Sequence, residues 1–287
     1  MISPFVNLNQ ISSDSTLYHY TGIGGTHGIL QNKFIRATKS DFLNDSNEVR
    51  YILTIAQEVI HDVKNPVWQS ILQTGFDWAS MAMKRLHYYV LSFSTEPDSL
   101  TLWSEFGDNT GYNMEFQSGE LLKRVSKYRP IAYHGYVIYD KNLQKELLRK
   151  LIYTDIPASL GESFHDIMEH CVETMEHEQF NHLCSYVEQS LLIYALFFKQ
   201  EEFAPEKEYR MVFEENDLNQ VLFREKDGFL LPYISVRIAS ELEEVPLKSI
   251  TVAPKNHIDL AKNGMMLYLQ SLGYEVPVRL SGIKLRY

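Results

Sequence analysis

Two short segments combine residue types that do chemistry. The first is Tyr18-His19-Tyr20-Thr21. Period-two alternation puts Leu17, His19 and Thr21 on one face of a strand and Tyr18 and Tyr20 on the other. A strand histidine is either a hydrogen-bonded structural residue or a proton-handling or ligand-positioning group. The second is Glu206-Lys207-Glu208-Tyr209-Arg210-Met211-Val212-Phe213. Alternation turns Tyr209, Met211 and Phe213 toward a core and places Glu206, Glu208 and Arg210 together on the opposite face. Residues two apart on a strand face lie roughly 6–7 Å apart, so two carboxylates there can share one substrate while the guanidinium compensates their charge. The bland alternative is a solvated charged face. A third constellation joins the hydroxyls and ring of Ser92-Phe93-Ser94 to a short helical stretch bearing Trp103 and Phe106. These two aromatics are three apart on one helical face, suited to core packing or to an aromatic platform for a flat ring.

Weaker signals are set aside on geometry. Gly22-Ile23-Gly24-Gly25-Thr26-His27-Gly28 misplaces the last glycine of a dinucleotide fingerprint. His177 and His182 are five apart, about 140° around a helix, so they cannot share a metal there. His170, Glu173 and His177 share a face, but the two histidines are two turns apart. No metal is expected. Cys171 and Cys184 fall in helical pattern and read as ordinary partly buried thiols.

The elements that must position these groups come from periodicity. Strands are expected at 17–21, 34–38, 88–93, 112–116, 209–213, 230–238, 249–253, 275–280 and 283–287. Helices are expected at 26–31, 47–63, 67–86 and 259–272, with a short one carrying Leu100, Trp103 and Phe106 and stopping at Gly107. From about 141 to 199 the pattern is helical. Because strands lie on both sides of it, this block reads as an insertion within a single α+β domain spanning 1–287. With 287 residues, 45% hydrophobic, the chain can bury a sizeable core. The net charge of −10, from 27 basic and 37 acidic residues, argues against a general nucleic-acid binder. The longest apolar run, 191–198, is too short to span a membrane, and Met1-Ile2-Ser3-Pro4-Phe5 has no basic segment followed by an apolar stretch. A cytoplasmic protein without membrane partners is expected.

Taken in order, Tyr18-His19-Tyr20-Thr21, Asp41-Phe42-Leu43-Asn44-Asp45-Ser46-Asn47-Glu48, Ser92-Phe93-Ser94, Trp103-x-x-Phe106 and Glu206-x-Glu208-Tyr209-Arg210 resemble a widespread bacterial domain-of-unknown-function family. Ser46 stands where that pattern has proline, and Phe106 where it has tyrosine. The family in turn resembles, remotely, the ADP-ribosyltransferase superfamily, whose members carry a histidine on the first strand and Glu-Tyr on a later catalytic strand. The Glu206-x-Glu208 pair looks more like the arginine-modifying members, which lack the histidine.

This resemblance implies an ADP-ribosyltransferase-like split, mostly antiparallel β-sheet with flanking helices, and NAD as substrate. Glu208 would stabilise the oxocarbenium-like ribose formed when the nicotinamide bond breaks. His19 would hydrogen-bond a ribose hydroxyl, and Glu206 would orient or deprotonate the acceptor. Trp103, Phe93 or Phe106 would stack on nicotinamide, and Tyr20, Thr21, Asn44, Asp45, Ser92, Ser94 and Arg210 would complete the cofactor site. The resemblance further implies a transferase or NAD glycohydrolase acting as a toxin or anti-phage effector. Protein, nucleic acid or water would be the acceptor, and a neutralising partner protein is possible. A non-catalytic binding or sensing module on the same fold is the alternative.

Overall fold

Alternate residues of the central strands, among them Leu17, Ile35, Leu91, Phe93, Met114, Phe116, Met211 and Ile234, meet in one buried cluster. The computed structural model describes residues 8–43, 48–107, 110–159, 161, 177–226, 228–254 and 258–284. Their contacts divide them into two compact units. One, drawn from Asn9–Lys39, Tyr88–Tyr136 and Ala204–Tyr287, carries the sheet. The other, drawn mainly from Ser40–His87 and Val137–Phe203, is helical.

The sheet unit contains β1 (Thr16–Thr21), β2 (Phe34–Lys39), β3 (Tyr88–Ser94), β4 (Tyr112–Gln117), β5 (Tyr133–Tyr136), β6 (Glu208–Glu214), β7 (Leu222–Lys226), β8 (Phe229–Arg237), β9 (Leu247–Val252) and β10 (Val278–Leu280). Their order is β10-β9-β4-β1-β3-β2-β8-β7, with β6 paired to β3 and β5 to β6. The β10–β9 pair is parallel and every other described pair is antiparallel. The fold is thus α+β, with a mixed, mostly antiparallel open sheet and flanking helices. The helices Ser118–Tyr128 and Ile258–Ser271 send Leu121, Val125, Met265 and Leu269 into the cluster on its apolar face.

The ladder is interrupted at β3. β6 pairs with β3 along its whole length, from Tyr88↔Glu214 to Ser94↔Glu208. On the opposite edge, β3 is shared. β1 meets it at Tyr18↔Ser94, and β2 meets it at Thr38↔Val90 and Lys39↔Tyr89. Between these contacts, positions 91–93 pair with neither neighbour, and the sheet is split there.

The helical unit is built from Glu48–His61, Pro66–Ala82, Lys141–Lys150, Ile156–Ser159 and His177–Tyr194, with a π-helical turn at Leu151–Asp155. Asn65 caps the second helix by accepting from the amides of Val67 and Trp68, both at 3.0 Å, and Pro66 supplies its first residue. Asp140 caps the third in the same way through Asn142 and Leu143. Cys184 lies fully buried against the Ile71 carbonyl, and burial pushes its thiol up to about 11, which makes it a poor nucleophile. Cys171, His170 and Glu173 lie outside the described residues, as does the side chain of His177. Among the described residues no helix is long and apolar enough to cross a membrane.

Most expected elements appear within a few residues of their expected ends. The strand expected at 275–280 is confined to Val278–Leu280, since Pro277 lacks the amide a ladder needs. Ile283 and Lys284 are outside any strand, and 285–287 lie outside the described residues. The helix Ser118–Tyr128 and the strands β5 and β7 have no counterpart in the sequence expectations.

The crossing of Pro66–Ala82 with His177–Tyr194 depends on a missing side chain. A Cβ at Gly75 would stand 2.7 Å from the Cys184 carbonyl oxygen and 2.6 Å from Val187 Cβ. Gly75→Ala is therefore expected to lower stability by about 1–3 kcal/mol, because backbone cannot yield as a flexible side chain does. Chemical denaturation monitored by far-UV circular dichroism checks this.

Candidate functional site

Glu208 and Arg210 of β6 are not solvated. Alternation places Glu208 and Arg210 on the face opposite the apolar cluster, yet Arg210 is 1% and Glu208 7% exposed. Arg210 grips Glu208 with two parallel bonds, Nε to Oε1 at 2.9 Å and Nη2 to Oε2 at 2.7 Å. The fork of a guanidinium matches the two oxygens of a carboxylate, and this geometry is what makes such a buried pair tolerable. The register explains the room for it. Glu208 lies opposite Ser94 and Arg210 opposite Ser92, so small side chains flank two large ones on the same face.

Glu206 is also buried, but it is not on the strand. It ends the 3₁₀ turn Glu201–Glu206, and Lys207 comes next with φ +43°, a left-handed residue that breaks the alternation. The expected same-face arrangement of Glu206 with Glu208 and Arg210 is therefore corrected. A strand template assumes extended backbone at Lys207, and the chain turns there instead. The turn is tied to the end of β3. Ser94 Oγ donates to the Glu206 carbonyl at 2.6 Å and accepts from the Glu96 amide at 3.0 Å. The Thr95 amide donates to the Lys207 carbonyl at 3.1 Å, and Lys207 Nζ pairs with Glu96.

His19 sits at the split. Its Nδ1 is 3.2 Å from the carbonyl oxygen of Ser92, an oxygen at the stretch of β3 that no neighbouring strand pairs along this edge. Since a carbonyl only accepts, Nδ1 carries the proton, and a neutral ring then presents Nε2 as an acceptor. Burial, with a further push from the charge of Arg224, brings His19 down to about 4, so the ring is neutral at physiological pH. Phe93 packs on it with ring centroids 5.5 Å apart. Arg224, on β7, carries no sequence signal that separates it from any other edge-strand arginine, and it emerges only from the fold. His19 and Glu208 lie on strands separated by β3, an offset of about 10 Å, and they project from opposite faces of the sheet: Glu208 shares the face of Ser94 and Tyr18, His19 that of Leu17 and Phe93.

The aromatic platform is not where spacing would put it. Trp103 is fully buried with Tyr20, Leu102 and Ala253, edge-on to Tyr20 at 4.8 Å. Its Nε1 donates to Asp98 Oδ1 at 2.7 Å. Asp98 also accepts from Ser281 Oγ and the Gly282 amide, each at 2.7 Å. Tyr20 donates to the Glu96 carbonyl at 2.7 Å and accepts from the Ser99 amide at 3.1 Å, and burial raises its hydroxyl above the usual tyrosine range. Trp103 and Tyr20 thus fasten the segment after β3, and Phe93 is part of the main core. Phe106, at the end of the helix Leu100–Phe106, is 38% exposed. Thr21 ends β1 against the Gly111 backbone, where a Cβ would stand 2.3 Å from the Thr21 carbonyl oxygen. Asn44 and Asp45 lie outside the described residues.

A family model described as a protein of unknown function (DUF2971) matches residues 102–211. The matched stretch holds Trp103, Phe106 and the Glu206–Arg210 segment, and it ends one residue after Arg210. No curated protein and no solved structure matches the chain.

The buried pair and the neutral histidine each lead to a measurable outcome. Removing one member of a buried, bidentate pair takes two charge-assisted bonds from the other, so Glu208→Ala is expected to cost about 3–5 kcal/mol, and Glu208→Gln less, because its amide oxygen still accepts. Urea titration of both variants measures the difference. His19 in the folded protein titrates near 4 against an ordinary value of 6.5. Between those values the unfolded chain binds the extra proton. The stability His19 contributes is therefore full above about pH 6.5 and is lost as pH falls toward about 4, on the order of 1–3 kcal/mol. His19→Gln should flatten that acid limb, as read from midpoints of urea unfolding between pH 7 and pH 4.

Proposed function

We propose that the sheet unit binds NAD at the split beside β3 and breaks its nicotinamide–ribose bond, as an ADP-ribosyltransferase or NAD glycohydrolase. The observation that carries this reading is His19 held in one tautomer on the Ser92 carbonyl. Its Nε2 has no partner among the described residues and suits a ribose hydroxyl. A histidine titrating near 4 cannot be the general acid at neutral pH, so its work is orientation. Glu208 is the group for the developing positive charge. Arg210 fixes it through two parallel bonds. Bond cleavage releases nicotinamide, and the ribose carbon is then taken by the acceptor or by water. Glu206, held by a backbone turn next to Glu208, is the group to orient that acceptor. A role as toxin or anti-phage effector belongs to the same proposal and rests on the sequence resemblance.

Two observations favour the other reading, a binding module without turnover. His19 and Glu208 project from opposite faces of the sheet. Trp103 and Phe93, two of the three rings that would clamp nicotinamide, are sealed into cores, which leaves Phe106. Nicotinamide release from NAD by the purified protein separates the two. Turnover that Glu208→Gln abolishes at unchanged secondary structure is the expected result. Saturable NAD binding without nicotinamide release would establish the binding module. Neither binding nor release, from a protein that melts cooperatively, removes the NAD reading altogether.

A further inference from the structure

Arg36, Arg224 and Tyr233 form a cluster on the sheet that neither the sequence motifs nor the proposed chemistry uses. β8 runs between β2 and β7. Tyr233 lies opposite Thr38 on one side and Leu222 on the other. Arg36 lies opposite Ser235 and Arg224 opposite Leu231. Each arginine is thus one diagonal step from Tyr233, from opposite sides and opposite ends, on the same face of the sheet. Arg36 bends along its diagonal, with Cζ 5.0 Å from the centre of the Tyr233 ring.

Arg36 and Arg224 carry like charge and disfavour one another, and such a pair normally recruits a carboxylate. Here none is in place among the described residues, where neither arginine makes an ion pair. Arg224 is half-buried, and its Nε is fully buried with no hydrogen-bond partner. The groups that bear on its charge are burial and Arg36, which push it down, and Tyr233, which opposes them. A buried donor left without an acceptor costs about 1–3 kcal/mol, and the neighbouring like charge adds to that.

The geometry points to an anion site in which Arg36, over the Tyr233 ring, and Arg224, on the other side of it, take a phosphate group of a small phosphorylated ligand. A dianionic phosphoryl group matches two cations, and its oxygens accept from two guanidinium forks at once, where one carboxylate offers half the charge. Tyr233 holds Arg36 in place and lowers the ordering cost of binding. The charge of Arg224 also bears on His19. The inference stands apart from the NAD reading, because any phosphate ester or diphosphate satisfies it.

Pyrophosphate and inorganic phosphate, titrated into the full chain by calorimetry at low ionic strength, test it directly. Saturable binding is expected, tighter for pyrophosphate, and weakened at least about tenfold by Arg224→Gln and by Arg36→Gln. Arg36 is exposed, so its variant reports on the site even if Arg224→Gln disturbs the edge of the sheet. Lys248→Gln, the same loss of charge at an exposed position of β9, should leave binding within about twofold. No saturable binding by the wild type, or equal weakening by Lys248→Gln, overturns the assignment. Pyrophosphate binding without NAD turnover would leave the anion site standing and remove the transferase.

Discussion

The Glu208–Arg210 pair is the constraint around which the centre of the sheet is arranged. Two charges this deeply buried are tolerable only if the fork geometry is met, and that requires both residues on one face of one strand, two positions apart. It also requires small residues opposite them, which Ser92 and Ser94 supply. Ser94 then takes on a second task, because its hydroxyl holds the Glu206 carbonyl and so fixes the turn from which β6 departs. The pair, the serines and the left-handed Lys207 act as one unit, and a change at any of them is felt by the others.

The second constraint is the split. A strand whose edge is shared between two partners leaves a stretch of backbone carbonyls and amides that must be satisfied by something other than a ladder. His19 satisfies Ser92 by donating from Nδ1, which fixes its tautomer and leaves the other nitrogen to whatever occupies the gap. The same burial that keeps the ring neutral keeps it from serving as a proton donor at neutral pH. What the ring can do is therefore narrowed by local physics before any substrate is considered.

These two features differ in how far the sequence disclosed them. The alternation of Tyr209, Met211 and Phe213 against Glu208 and Arg210 was legible, because a strand face comes from period two. Whether that charged face meets solvent or protein was not, because alternation says nothing about what covers the second side of a sheet. Glu206 misled for a related reason: a single residue with φ +43° ends a strand without any glycine to announce it. Trp103 and Phe106 share helical spacing, yet one is sealed against Tyr20 and the other is exposed, since a helix of one or two turns can bury one of two neighbours on the same stripe. The helix Ser118–Tyr128 did have a signal, in Leu121, Leu122 and Val125 at helical spacing, whereas the edge strand β7 mixes Leu222 and Phe223 with charged residues and has none.

Global charge illustrates the same limit from the other direction. A net charge of −10 argues soundly against a surface that tracks a long polyanion, because counterion release needs many cations in a row. It carries no information about a pair of arginines, because a site for one phosphoryl group needs only two cations and the absence of nearby acids. Cross-strand register supplies that information. Arg36 and Arg224 are far apart in sequence, and only the placement of β8 between their strands puts both beside Tyr233. An acidic surround even sharpens such a site, since the surrounding negative potential disfavours anions everywhere except where two guanidinium groups locally reverse it.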